Sequence, residues 1–402
     1  MPHSPTAMSL DGALGLVVVE GLAATQPVPG FSNSAMDGYA LRAADTSSRP
    51  ARLRVIGSVM AGDASTLRVN AGDAVRIMTG AAIPEGADGV CKIEEVTVAP
   101  DGQSVVINRV IQRDEHIRHP GEDVNIGQVL VTPGTVLGPT ELGVLASQGF
   151  TSVLVHPRPR VGVLSTGNEL VAAADPLQEG KIHDVNRPML LALLRESGFT
   201  PVDLGIVRDD ATAITERFRR AVIECDAVIS TGGVSVGDVD HVKTVIGELC
   251  GGRARWMQVA IKPGKPFAFG VAQPRGTPIF GLAGNPVSTR VGFEVFVRPA
   301  LGLLAGRPSP ERPVVNMTLD RALSRRRDGK LHLVHAIARF HEDGRMHVES
   351  VARQGSHLLS AIAGSNVIAM VPDGDGLDAG EVVRAMVLAI DPSDAGAAQR
   401  PS

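Results

Sequence analysis

The chain has 402 residues, 44% of them hydrophobic, and a formal net charge of −4. That length exceeds one ordinary core, so two to four domains are expected. The mild acidity and the scarcity of aromatics (one Trp, one Tyr) leave neither a basic footprint nor a stacking platform, which excludes nucleic-acid readout. No apolar run reaches the roughly 18 residues of a membrane span. The opening Met1-Pro2-His3-Ser4-Pro5 lacks the charged and apolar regions of a secretory leader. Cys91, Cys225 and Cys250 share no metal-like spacing, and an odd, sparse set suits a reducing compartment. A cytoplasmic protein that engages neither membrane nor nucleic acid is the expectation.

In chain order, residues 11–24 alternate weakly, as helix or strand, and break at Gln26-Pro27-Val28-Pro29-Gly30. From about 31 to 127 the texture is all-β: short runs such as Val75–Met78 and Val105–Ile107 are punctuated by Ala-Gly-Asp, Ile-Pro-Glu-Gly and Pro-Asp-Gly turns. Thr140–Gln148 reads as a helix and His156-Pro157-Arg158-Pro159 as a linker. From Arg160 the pattern becomes strand, helix, strand, helix. Val161–Leu164, Val202–Val207 and Ala227–Ser230 are strands. A helix capped by Asn186 runs to a stop at Gly198, Ala211–Glu224 is a second helix, and Asn285-Pro286 caps a long helix toward Leu303. Such alternation implies a doubly wound α/β domain with ligands at the carboxyl ends of its strands. After Arg307-Pro308 the texture is again β, with runs Leu331–Ile337, Met346–Val351, Val367–Val371 and Val382–Leu388; residues 393–402 are of disordered composition.

Three strand exits in the α/β region carry polar residues. The first is Ser165-Thr166-Gly167-Asn168-Glu169, where Glu169 is a metal ligand or simply an exposed loop acid. The second is Thr231-Gly232-Gly233, followed by Ser235, Asp238 and Asp240; those acids either hold a cation or complement a helix dipole. The third is Gly281-Leu282-Ala283-Gly284-Asn285-Pro286-Val287-Ser288. Glycines admit anions close to backbone N–H groups, and acids in the same loops would repel an anion unless a cation lay between them. One exit alone is weak; three in one domain point to a phosphate-bearing ligand with a divalent metal. Between the second and third, Ile261-Lys262-Pro263-Gly264-Lys265-Pro266-Phe267 cannot be helical, so both ammonium groups leave one turn and suit a compact oxyanion. Elsewhere the ordinary reading is the better one. Asp37-Gly38 is a turn, Thr79-Gly80 and Gly121-Glu122-Asp123 are ambiguous loops, Arg325-Arg326-Arg327 is a solvated loop, and His335 and His357 are plain β-region residues. No nucleophilic triad, P-loop or dinucleotide fingerprint occurs. Carboxylates, a divalent cation and lysines fit metal-assisted phosphoanhydride or oxyanion chemistry.

Seven stretches together resemble the molybdopterin molybdenumtransferase family (MoeA; the E domain of gephyrin). They are Asn33–Ala40, Ile77–Gly80, Gly121–Asp123, Ser165–Leu170, Ser230–Gly237, Ile261–Phe267 and Gly284–Ser288, in the family's order over nearly the whole chain. The resemblance implies an extended dimerisation segment (1–24 and 128–157), an inserted β lid (25–127), an α/β molybdopterin-binding domain (158–306), a C-terminal β-barrel (307–392) and a disordered tail. It implies a homodimer in which Asp37, Thr79 and Asp123 close over the neighbouring subunit's site, and the release of AMP as molybdate enters adenylylated molybdopterin with Mg2+. It assigns Glu169, Asp209 and Asp240 as essential acids, with Glu169 and Asp240 on Mg2+. Phosphate is left to Thr231–Gly233, and molybdate to Lys262, Lys265 and Ser288, with Ser356 contributed by the barrel. Ser165, Thr166, Gly167, Ser235, Asp238, Asn285, Pro286 and His335 complete the substrate-binding set.

The chain departs from the family pattern at Met257 (often Lys), Ala283 (Pro) and His335 (Arg), and in a shortened N-terminal helix. Losing two permanent cations weakens attraction for molybdate by about 1.5–3 kcal/mol per contact, and His335 compensates only when protonated. Two alternatives therefore stay open: a non-catalytic molybdopterin scaffold or carrier, and a molybdopterin adenylyltransferase.

Overall fold

The computed structural model describes residues 4–63, 66–233, 241–351 and 353–389. The chain folds as two compact units. One comprises residues 7–14 and 20–153; the other is built from residues 4–6 and 15–19 and the described residues from Leu154 on.

In the first unit a six-stranded sheet runs in the order Gly89–Lys92, Gly38–Leu41, Asp73–Ile77, Ala51–Val59, Ser104–Ile107, Val96–Val98. Side chains alternate between its faces. Tyr39, Leu41, Ala74, Val105 and Ile107 pack on one side, and Ala40, Val75, Ile77 and Val90 on the other. Both faces are covered, which is why these runs read as continuous apolar stretches rather than as alternating ones. Gly38 has no room for a Cβ, which would collide with the Cys91 carbonyl; this close approach fixes Asp37 at the strand's entry. The helix expected near Thr140 spans Pro139–Ser147, with Glu141 Oε2 accepting from the Gly138 N–H at 2.9 Å. Residues 11–24 hold a 3-10 turn, Asp11–Ala13, and two short strands instead of one element.

The second unit is built on a sheet ordered Thr200–Val207, Arg160–Thr166, Ala227–Thr231, Thr277–Leu282, Pro266–Ala272, Arg255–Gln258. The first four strands are mutually parallel, Pro266–Ala272 runs antiparallel to Thr277–Leu282, and Arg255–Gln258 runs antiparallel to Pro266–Ala272. Helix Asn186–Glu196 packs with Val161, Val163 and Ile229 on one face; Ala211–Glu224 packs with Leu164 and Val228 on the other. The windings therefore diverge between the strands Arg160–Thr166 and Ala227–Thr231. A crevice at their carboxyl ends is where a doubly wound sheet takes ligand.

One expected cap is corrected and one is confirmed in position alone. Asn186 is the first helical residue, and its amide donates to the Gly284 carbonyl at 2.7 Å; Asp184 Oδ1 takes the Arg187 N–H instead. Asn285 does stand at the N-cap position, but its side chain makes no capping bond and reaches Ser356 instead. The helix toward Leu303 is also not uniform. It runs as α over Pro286–Gly292, π over Phe293–Val297 and α again over Arg298–Leu304. The wide turn brings Glu294 inward to Arg312 and Arg290. Asp210, by contrast, caps its helix by accepting from the Ala213 N–H at 2.8 Å.

The C-terminal strands Leu331–Phe340, Met346–Ser350, Val314–Leu319, Val382–Val387 and Val367–Val371 close on themselves, since the first also pairs with the last. This five-stranded barrel is filled by Met317, Leu319, Ala336, Val348, Val367 and Val383. A sixth short strand, Ile261–Lys262, comes from the α/β region and adds to it in parallel, with Lys262 in register with His332.

Candidate functional site

At the crevice the polar strand ends are mostly spent on one another. Ser165 Oγ donates to Asp184 Oδ1 at 3.0 Å and lies 3.1 Å from Thr231 Oγ1, and Thr166 Oγ1 donates to the Thr231 carbonyl at 3.3 Å. All three residues are buried. Their hydroxyls clamp neighbouring strand exits, so they position the glycines that follow and do not face solvent. Gly232 and Gly233 both take the left-handed conformation (φ 87° and 67°), and a Cβ on Gly232 would stand 2.6 Å from the Thr166 carbonyl. Gly167 is likewise positive in φ, with the Glu169 carboxylate folded over it. Glu169 and Asp209 are both exposed, and the Asn168 N–H donates to Asp209 Oδ2 at 3.2 Å, so the two acids leave adjacent loops. Ser235, Asp238 and Asp240 lie outside the described residues.

The third exit leads into a cleft of about 820 Å3. Lys262, Lys265 and Ser288 line it from the α/β side, and Ser356, Arg326, Lys330 and His332 from the barrel side. No carboxylate among the described residues pairs with Lys262 or Lys265. Asn285 Nδ2 donates to Ser356 Oγ at 3.0 Å while the Val287 N–H holds the Ser356 carbonyl at 3.0 Å. With its oxygen already accepting, the Ser356 hydroxyl keeps its proton for an anion. Pro286 opens the helix that carries Ser288.

Two sequence expectations change here. Arg325 is not solvated: its side chain is 3% exposed. It donates to the carbonyls of Lys330, Val371 and Pro372 and to Asp328 and Asp373. It pins the loop that presents Arg326 and Lys330. Asp328 is the cleft's own acid, and hydrogen bonds from His332 and Lys330 hold it down to about 2, so its charge is already matched. The spacing gave no warning of this, because Asp373 arrives from 48 residues away.

His335 is the second. It is 1% exposed, lies on the barrel's outer face with Leu333 and Ile368 toward Arg290, and is absent from the cleft wall. Ser365 Oγ donates to the Ile362 carbonyl, so it must accept from His335 Nδ1, and Nε2 is left as a buried lone pair without a partner. Burial, helped by the nearby Arg290 charge, pushes the imidazole down to about 4. It is neutral near pH 7 and does not replace a permanent cation.

In the other unit Asp37 and Thr79 meet. Asp37 Oδ1 accepts from both the Thr79 N–H and hydroxyl at 2.7 Å, and these bonds hold the carboxyl below its usual range. Asp123 is exposed on the strap after Gly121, with its N–H bound to the Val28 carbonyl, and makes no side-chain bond to that pair.

Comparison with known proteins finds matches along most of the chain. Residues 2–149 match the MoeA N-terminal region (domain I and II), 162–302 a probable molybdopterin binding domain, and 321–388 the MoeA C-terminal region (domain IV). These domains define a multidomain enzyme of molybdopterin chemistry. The chain is 38% identical over 388 residues to the molybdopterin molybdenumtransferase of Haemophilus influenzae, covering 95% of this chain and 93% of that one. It is 38% identical over 379 residues to molybdopterin molybdenumtransferase 2 of Mycobacterium tuberculosis, covering 92% and 91%. A crystal structure of the moeA protein of Pyrococcus horikoshii superposes with a TM-score of 0.79 at 30% identity, covering 96% and 94%. The chain belongs to the molybdopterin molybdenumtransferase family, and it is a transferase of molybdenum cofactor biosynthesis. Among the described residues no helix is long and apolar enough to cross a membrane.

Proposed function

We propose that the protein inserts molybdate into adenylylated molybdopterin and releases AMP. The observation that carries the reading is the cleft with two unmatched ammonium groups, Lys262 and Lys265, facing the Ser288 and Ser356 hydroxyls. A tetrahedral dianion suits such donors, each charged contact being worth about 1.5–3 kcal/mol. In this reading Lys262 and Lys265 hold molybdate, Asn285 orients Ser356 to donate to it, and the left-handed Gly232–Gly233 turn takes phosphate. The exposed carboxylates of Glu169 and Asp209 are hard oxygen donors of the kind Mg2+ prefers. A bound Mg2+ would neutralise phosphoanhydride charge. The working form is a homodimer, with Asp37, Thr79 and Asp123 of one subunit serving the partner's site.

The test is AMP release from adenylylated molybdopterin by the full chain, with molybdate varied. Release should require molybdate, and Lys262→Ala or Lys265→Ala should raise the half-saturating molybdate concentration by roughly 10- to 150-fold. The neutral His335 favours one second reading, a carrier of adenylylated molybdopterin without turnover. Tight binding with no molybdate-dependent AMP would establish it in place of the first. Formation of adenylylated molybdopterin from ATP would overturn both.

A further inference from the structure

At one end of the barrel, away from the residues that line the cleft, Asp320, His341 and His347 each turn one ligand-capable atom inward, all within 4.8 Å of one another. The barrel pairings build this cluster. Asp320 follows the strand Val314–Leu319, His341 follows Leu331–Phe340, and His347 lies on Met346–Ser350, in register with both Thr318 and Arg339. Three chain segments therefore converge on one spot.

We propose that Asp320, His341 and His347 form a binding site for a divalent transition cation of the zinc class. Two imidazole nitrogens and one carboxylate are a donor set that Zn2+ takes, with a fourth position for water. His347 is already oriented for the task. Its Nδ1 faces Asp320 Oδ1 at 2.7 Å, while its Nε2 is held by Asp343 Oδ2 at 3.1 Å. Asp343 is itself fixed by its own turn, Oδ1 accepting from the Arg345 N–H at 2.9 Å. A ligating histidine whose second nitrogen is held by a carboxylate is the arrangement that sets ring orientation in metal sites. With bonds of about 2.0–2.1 Å, the ion would replace the hydrogen-bonded proton between His347 Nδ1 and Asp320. His341 stacks on His347 with ring centroids 4.2 Å apart. Among the described residues no hydrogen bond ties down the His341 ring, and Asp320 and His341 are exposed, so both swing in without disturbing the core.

The alternative is a purely structural chain, Asp343–His347–Asp320, stitching the hairpin. It needs no His341, and that separates the two. Full-length, tag-free protein stripped with chelator would be titrated with Zn2+, in excess Mg2+ to occupy hard oxygen sites elsewhere, and with Co2+ followed by its visible absorption. Wild type should bind one equivalent of Zn2+ and gain thermal stability. His341→Gln should lose that binding and that gain while keeping the metal-free melting temperature. Asp343→Asn should weaken binding by about 10–100-fold. Identical isotherms for wild type and His341→Gln would overturn the site, as would a wild type that takes up no Zn2+. Should Asp343→Asn fail to fold, His341→Gln alone decides.

Discussion

His335 shows how burial changes what a residue can do. The resemblance sets it where the family has an arginine; buried on the barrel's outer face toward Arg290, it is a neutral ring with one nitrogen bonded to Ser365. Its ionisation is depressed to about 4, against about 6.5 for an unfolded histidine. The unfolded chain therefore binds a proton that the folded one refuses. Stability owed to this group is complete above about pH 6.5 and falls as pH drops toward 4, by on the order of 3 kcal/mol. His335→Gln should flatten the melting temperature across that window, while an unchanged acid slope would mean the ring titrates freely. The unmatched Lys262 and Lys265 are the opposite case. Among the described residues no carboxylate takes up either charge.

At the scale of elements, the π turn Phe293–Val297 is the feature with the largest energetic stake. It brings Glu294, fully buried, to Arg312 Nε at 3.0 Å and to Arg290 Nη2 at 3.3 Å. Glu294→Gln would leave two guanidinium groups facing a neutral amide, and breaking a buried pair of this kind costs about 3–5 kcal/mol. The expected result is a lowered denaturation midpoint with the dependence on denaturant unchanged. The π turn was not legible in the sequence, since Phe293–Val297 continues the helical pattern and only tertiary partners reveal the extra residue per turn. The strands of the doubly wound sheet and the helix Ala211–Glu224 were legible, because hydrophobic runs and their periodicity are local signals. Asn186 is not the cap expected of it, and Asn285 caps by position without a side-chain bond, for one physical reason. Each has a stronger use for its amide across space, on the Gly284 carbonyl and on Ser356. Ser165, Thr166 and Thr231 were found as a group, but as a clamp beneath the site and not as its wall. Closure of the barrel depends on the pairing of Leu331–Phe340 with Val367–Val371, which no local pattern encodes.

For the whole molecule, the proposed exchange of residues between subunits has a direct consequence. A chain carrying Asp37→Ala keeps its own cleft intact, and a chain carrying Lys262→Ala keeps its own Asp37–Thr79 pair. At molybdate near the wild-type half-saturating concentration each alone should release little AMP, yet mixed dimers should regain a fraction of wild-type release, because one of their two sites would combine intact halves. Mixtures that stay at the level of the separate variants would mean each chain serves itself. Lys262 and Lys265 stand only three positions apart, but they answer to different scaffolds. Lys262 is laid on the barrel beside His332, while the Lys265 carbonyl holds the Val259 N–H and the chain turns directly into the sheet strand Pro266–Ala272. The gap between the two ammonium groups is therefore a gauge of how barrel and sheet are seated on each other, and an oxyanion gripped by both becomes a rivet through the two layers.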